Sequence, residues 1–329
     1  MQSTRKPTYQ RNSNLISRLK GYRVALMLPC LDEEHTLAKV IRDFRAEIPF
    51  LDIYVFDNNS SDRSREIALR ENAKVVRVQK QGKGYVVRKM FETVEADIYI
   101  LVDSDDTYDV KGIWQLIEPV LNEEADMTVA SRLSDHSSGA FRKFHRFGNS
   151  LIIRLINMIF RSSLTDICSG YRVMSRNFIK NIPLLRDGFE VETELTVYSL
   201  IWGFAIKEVP LAYRDRPPNS QSKLRTFRDG YKVLLTIVWL ARDLRPLLFF
   251  GIAAIAILLG MMVPIAHYYP DALLTQFFLA LVSVSLLTSG LILNSINVKF
   301  SELHVLYRRQ TSTTISPADL TTLSASRVK

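Results

Sequence analysis

The first residues in this chain that promise chemistry are carboxylates crowded at the end of an apolar run. Residues 98–102, Ile-Tyr-Ile-Leu-Val, are β-branched, aromatic and aliphatic, and they predict a buried strand. The strand breaks into Asp103, Ser104, Asp105 and Asp106. A strand ending this way delivers its carboxylates to the carboxyl edge of a sheet, where open α/β folds bind ligands. Carboxylates packed so closely repel one another and resist burial, so they require a cation. Mg²⁺ or Mn²⁺ suits them: a hard ion held by one or two carboxylates, with water and substrate phosphate oxygens completing the shell. The alternative is an Asp-rich turn that caps a helix starting near Val110.

Along the chain, strands and helices alternate. Residues 23–29 predict the first strand, with 30–34 turning into a helix over 36–46. Residues 53–56 predict the second strand, ending in the turn and cap cluster Asp-Asn-Asn-Ser-Ser-Asp62 and a helix through Arg70. A third strand covers 74–78, Gly-Lys-Gly84 leads into a helix over 85–95, and the strand ending at Asp103 is the fourth. This spacing describes βαβ units, and acidic residues recur at strand ends, at Asp57 and again at Asp103 and Asp105. A helix over 110–121 and a strand over 126–130 ending in Ser131 and Arg132 follow. Residues 151–160 predict a strongly apolar helix preceded by Arg142, Lys143 and Arg146, either core or dipping into a membrane interface. Glu190, Glu192 and Glu194 alternate as if along one side of an extended segment, or else form an acidic helix start.

The composition points to a membrane. Of 329 residues 47% are hydrophobic, and the excess lies near the C-terminus. No fixed charge occurs in 246–267 or 273–294, and each run is long enough to cross ~30 Å of hydrocarbon as a helix. Five residues separate them, which predicts a transmembrane hairpin. Arg242 and Arg245 before it, Lys299, Arg308 and Arg309 after it, and only Asp271 within the loop place both flanks in the cytoplasm. The expected organisation is therefore a basic, mobile N-terminal arm (1–22) and a catalytic domain (23–226). After these come a juxtamembrane amphipathic helix (227–245), the two spans (246–294) and a cytoplasmic tail (295–329). Residues 1–20 lack the apolar core of a secretory signal. Cys30 and Cys168 suggest neither a disulfide framework nor a zinc site. The net charge of +9 suits anionic headgroups or phosphorylated substrates beside a membrane; no zinc-finger, RNA-recognition or helix-turn-helix signature supports nucleic acid.

Eight motifs in order carry a resemblance: Leu-Pro-Cys-Leu-Asp-Glu-Glu34, Val-Phe-Asp-Asn-Asn-Ser-Ser-Asp62, Gly-Lys-Gly84, Val-Asp-Ser-Asp-Asp106, Ala-Ser-Arg132, Asp-Ile-Cys-Ser-Gly-Tyr-Arg172, Phe-Glu-Val-Glu-Thr-Glu194 and Glu-Val-Pro-Leu-Ala-Tyr-Arg-Asp-Arg216. Over 23–224 the chain resembles family 2 glycosyltransferases, and within them the dolichyl- and undecaprenyl-phosphate hexose synthases. The resemblance implies a GT-A fold, Rossmann-like, with a mostly parallel sheet and helices on both faces. It also implies a nucleotide diphosphate sugar as donor, a divalent metal and a polyprenyl phosphate acceptor. Some relatives assemble as four chains, and this sequence leaves the oligomeric state open.

Residue by residue, the resemblance puts Pro29, Asp32, Glu34 and Asp57 around the nucleotide base and ribose, with Ser104 on the donor side. Asp32 replaces the usual Asn. Asp103 and Asp105 would hold the metal; Thr107 stands where many relatives have Gln. Lys83 either touches the diphosphate or is a solvated lysine in a turn. Arg132, Arg146 and Arg216, with Asn149 and Lys223, would clamp the acceptor phosphate, for which arginine forks are suited. Asp166 sits where a base has been proposed, yet a phosphate acceptor is already ionised, so Asp166 could instead position Arg172 or the acceptor.

Overall fold

In the computed structural model, residues 8–133, 140–214, 216–217 and 226–312 are described. The chain divides into two compact units, Met1–Ile237 and Val238–Lys329.

The first unit is built on a seven-stranded sheet. Its strands are β1 (Val24–Cys30), β2 (Asp52–Asp57), β3 (Lys74–Arg77), β4 (Ile98–Leu101), β5 (Met127–Leu133), β6 (Arg172–Ser175) and β7 (Ile206–Ala212), in the order β3-β2-β1-β4-β6-β5-β7. All pairings are parallel except those of β6, which runs against both β4 and β5. Six of the seven residues of β1 are buried, as a central strand covered on both faces demands. Between the strands lie α2 (Leu37–Glu47), α3 (Ser64–Arg70), α4 (Lys83–Thr93), α5 (Ile113–Leu121), α6 (Ala140–Phe160), α7 (Arg176–Asn181) and α8 (Val191–Ile201). In α2, Leu37, Val40, Ile41 and Phe44 fall on one stripe and are buried, so the helix packs as its periodicity dictates. The chain winds to β2 and β3 on one side of β1 and to β4 on the other, which opens a crevice at the carboxyl ends of β1 and β4.

Two expectations change, and an alternative left open by the sequence is decided. The N-terminal arm is not mobile throughout: Thr8–Leu19 forms a helix (α1), with Leu15 and Leu19 buried in the core. The Arg18 guanidinium donates to Asn122 Oδ1 at 3.0 Å and to the Leu121 carbonyl at 3.5 Å, tying α1 to the end of α5. Leu15 and Leu19, one helical turn apart, supply the apolar stripe that a charge-based reading passed over. The glutamates of 190–194 are not extended. Glu190 is the residue before α8, with Glu192 and Glu194 in its first turn, where the helix dipole favours acids. The other change lies in the second unit.

There, α10 (Pro246–Ile257) continues through a π-helical turn, Leu258–Met262, into α11 (Val263–Tyr268), and α12 runs from Leu273 to Ser312. The expected tail from 295 is helical as far as Ser312. Pro246–Tyr268 and Leu273–Leu306 are long and apolar enough to cross a membrane and are almost wholly exposed, unlike core helices of a soluble protein. Gly290 lets the two helices approach: a Cβ there would come 3.1 Å from that of Phe250. The expected juxtamembrane helix is α9 (Thr226–Leu244), which begins in the first unit and ends in the second.

Candidate active site

The loop after β4 holds the carboxylates. Thr107 donates to Asp105 Oδ1 through its hydroxyl at 2.6 Å and its amide at 3.2 Å. The other oxygen, Asp105 Oδ2, lies 2.5 Å from Arg216 Nη2, while Arg216 Nη1 is 3.5 Å from Glu33 Oε1. Burial and the neighbouring Asp103 push the Asp105 carboxyl above the usual range; Arg216 and Thr107 pull against them. Asp103 Oδ1 lies 2.6 Å from Lys83 Nζ, which also reaches Glu192 Oε1 at 2.5 Å. Lys83 is thus no solvated turn lysine. Burial opposes its charge, but Asp103 and Glu192 overcome that penalty and raise its pKa. Burial also raises Glu192, with Lys83 opposing. Gly170 packs against Asp103, since a Cβ on it would come 2.1 Å from Asp103 Oδ2.

The donor-side residues from the first two strands meet at the same edge. Ser104 Oγ donates to the Pro29 carbonyl at 2.8 Å, and the Ser104 carbonyl accepts from Thr36 Oγ1 at 2.6 Å, so the β1 and β4 loops are tied together. Asp32, at φ +51°, accepts from the amide and hydroxyl of Ser61 at 2.7 and 3.1 Å. Asp57 accepts from the Ser60 amide at 2.9 Å. Glu34 turns to Arg63, whose hydrogen bonds to its carboxylate lower its pKa. Asn58 is a staple: its amide nitrogen donates to the carbonyls of Val78 and Lys80, and its Oδ1 accepts from the Gly82 amide. It thereby fixes the approach to Lys83.

The acceptor-side residues come from later in the chain. Arg132, at the end of β5, grips Asp166 bidentately, with Nε at 2.8 Å from Oδ2 and Nη2 at 2.9 Å from Oδ1. Burial opposes the Arg132 charge, yet Asp166 raises its pKa overall. The guanidinium also stacks over Tyr213 at 5.6 Å. Glu208 holds Asp166 from behind, accepting from its amide at 2.8 Å and from the Thr165 amide at 2.9 Å. Asp166 therefore positions Arg132, not Arg172. Arg172 is fully buried and donates to the carbonyls of Ile167, Ser169 and Glu192 and to Thr196 Oγ1, so it locks the 166–172 segment to α8. Burial lowers its pKa. Arg146 and Asn149 lie on α6, with side chains outside what is described, and Lys223 lies outside the described residues.

The carboxylates of the site have the chemistry of a divalent-ion donor set. Among the described residues, no group of three or more His, Cys, Asp or Glu is arranged to hold a metal. Asp103 and Asp105 are two hard oxygen donors in a site where Glu33 and Glu192 add to the formal negative charge, and Lys83 and Arg216 are the cations paired with these four carboxylates among the described residues. That fits an ion which takes one or two protein carboxylates and fills its shell with ligand oxygens.

Comparison with known proteins decides the family. The glycosyl transferase family 2 model matches residues 26–182. Glycosyltransferase AglJ of Haloferax volcanii is 32% identical over 291 residues, covering 87% of this chain and 95% of the relative. The chain belongs to glycosyl transferase family 2. It is a glycosyltransferase with a GT-A-like sheet. The dolichyl-phosphate hexose transferase of H. volcanii is 25% identical over 221 residues, covering 65% of this chain and 92% of that protein. In fold, the chain is similar to glucosyl-3-phosphoglycerate synthase from Mycobacterium tuberculosis in complex with Mn²⁺, UDP-glucose and phosphoglyceric acid. That likeness has a TM-score of 0.60 at 20% identity, over 73% of this chain and 86% of that one.

Charge signals alone missed Glu208, Tyr213 and Glu33, which act through neighbours. Glu208 and Tyr213 lie inside the Glu-Val-Pro-Leu-Ala-Tyr-Arg-Asp-Arg216 motif, so the motif was visible although their roles were not.

Proposed function

We propose that this family 2 glycosyltransferase moves one hexose from a nucleoside diphosphate sugar to a polyprenyl phosphate at a membrane surface. The observation that carries the reading is one chain with a carboxylate pair held by Lys83 and Arg216, and a second arginine braced by Asp166, in one unit and two long exposed apolar helices in the other. The similarity to a protein named dolichyl-phosphate hexose transferase, and the fold shared with a synthase crystallised with Mn²⁺ and UDP-glucose, support it.

In this reading Asp103 and Asp105 hold Mg²⁺ or Mn²⁺, whose Lewis acidity, when bound, offsets charge on the departing nucleoside diphosphate. Pro29, Asp32, Asp57 and Ser104 shape the nucleoside side, and Lys83 keeps Asp103 aimed. Arg132 and Arg216, helped by Arg146, Asn149 and Lys223, draw in the dianionic lipid head. A phosphate oxygen then forms the new bond to the anomeric carbon from the face opposite the diphosphate. The anomeric carbon–oxygen bond to the diphosphate breaks, and configuration inverts. The acceptor is already ionised, so no side chain need remove a proton, and Asp166 serves as the brace of Arg132. Arg242 and Arg245 on one flank of the hairpin, Lys299 on the other and Asp271 in the loop support a catalytic unit on the cytoplasmic face.

The test is a donor screen with purified full-length protein, Mg²⁺ or Mn²⁺ and a short polyprenyl phosphate, with Asp105→Ala as control. Lipid-linked product from one donor, lost in the variant, is expected. Absence of lipid-linked product from every donor overturns the reading in favour of another membrane acceptor or a nucleotide-sugar-binding scaffold.

A further inference from the structure

We infer that Arg216 and the divalent cation compete for the same oxygen of Asp105, so that filling the metal site releases Arg216 for the acceptor phosphate. The inference rests on the reading that Asp103 and Asp105 hold a metal ion.

The geometry leaves little room for another arrangement. Asp105 has only 4% of its side chain exposed, so few approaches to its carboxylate remain. Thr107 covers Oδ1 with two hydrogen bonds. Oδ2 faces the Arg216 guanidinium at 2.5 Å. A metal ion bonds a carboxylate oxygen at about 2.0–2.2 Å, closer than any guanidinium. Two cations sharing one oxygen in so shielded a place repel strongly. Arg216 is therefore a resident counter-ion: it neutralises Asp105 while the metal is away and must yield when it arrives. Glu33, 3.5 Å from Nη1, keeps the released guanidinium at the site rimmed by the two loops.

Displacement couples the two ligands. Whatever draws Arg216 off Asp105 strengthens metal binding, and the metal strengthens by the same factor the binding of an anion that uses Arg216. Donor and metal thus prepare the acceptor subsite, and an empty metal site keeps it weak. The resting carboxylate pair is also protected from stray cations that arrive without a phosphate.

The experiment measures Mn²⁺ affinity of the full chain in detergent micelles, from the electron paramagnetic resonance signal of the free aqueous ion, with no donor present. Arg216→Gln is expected to bind Mn²⁺ about tenfold tighter than the native protein, within the usual span of coupling factors. Arg216→Lys, which keeps a charge able to reach Asp105, is expected to stay near native. Arg214→Gln removes a charge two residues away that pairs with Asp109 at 3.4 Å; it is expected to stay within about twofold, as surface changes do. A short polyprenyl phosphate, or inorganic phosphate in a parallel titration, is expected to tighten Mn²⁺ binding in the native protein and not in Arg216→Gln. Response to both phosphates assigns the coupling to the phosphate group itself, and response to the lipid alone assigns it to the lipid head in its own setting. Unchanged or weaker Mn²⁺ binding in Arg216→Gln overturns the inference, as does an equal gain in Arg214→Gln, which would mean unspecific charge. These readouts use no transfer reaction, so failure of the polyprenyl-phosphate reading leaves them standing, and their failure leaves that reading standing.

Discussion

At the scale of single residues, the site is a set of side chains holding one another in place. Asp166 spends both oxygens on Arg132 and is itself held by Glu208, a chain of contacts suited to aiming a guanidinium and poorly suited to accepting a proton. Asp166→Asn is therefore expected to raise KM for the acceptor phosphate by roughly tenfold, the value of a charge-assisted hydrogen bond, with a smaller fall in kcat. The pH dependence of kcat should keep its native shape; a collapse of kcat with loss of the acidic limb would instead identify a base. Gly170 gives a second expectation. A methyl group there would strike the Asp103 carboxylate, so Gly170→Ala is expected to cut activity about 100-fold while leaving the melting temperature within a few degrees, because displacements near 1 Å carry such penalties. Steady-state kinetics beside a thermal melt separates the two effects. Much of this was legible beforehand: carboxylates after a β-branched run and arginines inside motifs announce themselves by type. Their partners did not. The sequence leaves Asp166 open between a base and a brace for Arg172 or the acceptor, because only folding shows that β5 brings Arg132 next to it and that Arg172 turns inward to carbonyl groups.

At the scale of elements, the strands and helices of residues 23–121 followed from periodicity and turn residues, and their ends moved by a few positions at most. The misreadings share one physical cause, local sequence judged without its packing surface. The N-terminal segment was weighed by charge, whereas Leu15 and Leu19 decide its fate by lying on the core. Leu19→Ala is expected to destabilise the catalytic unit by about 3 kcal/mol, in the range of buried leucine truncations, and urea unfolding monitored by fluorescence measures it. A change below ~1 kcal/mol would return the segment to the status of an arm. The 190–194 glutamates alternate like a strand yet begin a helix, because Glu194 accepts hydrogen bonds from the Leu185 and Arg186 amides and anchors the preceding loop to α8. The letters of 190–194 allow both an extended segment and an acidic helix start, and the contact with the 185–186 amides is what decides between them.

At the scale of the whole molecule, the two apolar helices set the topology. Cysteine introduced at Asp271 is expected to react with a membrane-impermeant maleimide applied outside intact cells, and cysteine at Lys299 only after the membrane is opened. The reverse pattern would invert the orientation. The catalytic unit has its own large-scale order. The residues proposed for the donor, Pro29 to Ser104, precede α5, and those proposed for the acceptor phosphate, Arg132 to Lys223, follow it. Helix α5 is thus a seam, and a single genetic crossover within it would exchange acceptor preference between family members while keeping the donor. Many contacts cross the seam, and at the site two ion pairs are ones that any such chimera must preserve matched: Lys83 with Glu192, and Asp105 with Arg216. Recombinants that respect both pairs inherit two working halves, and those that split either leave a carboxylate at the centre of the site without its cation.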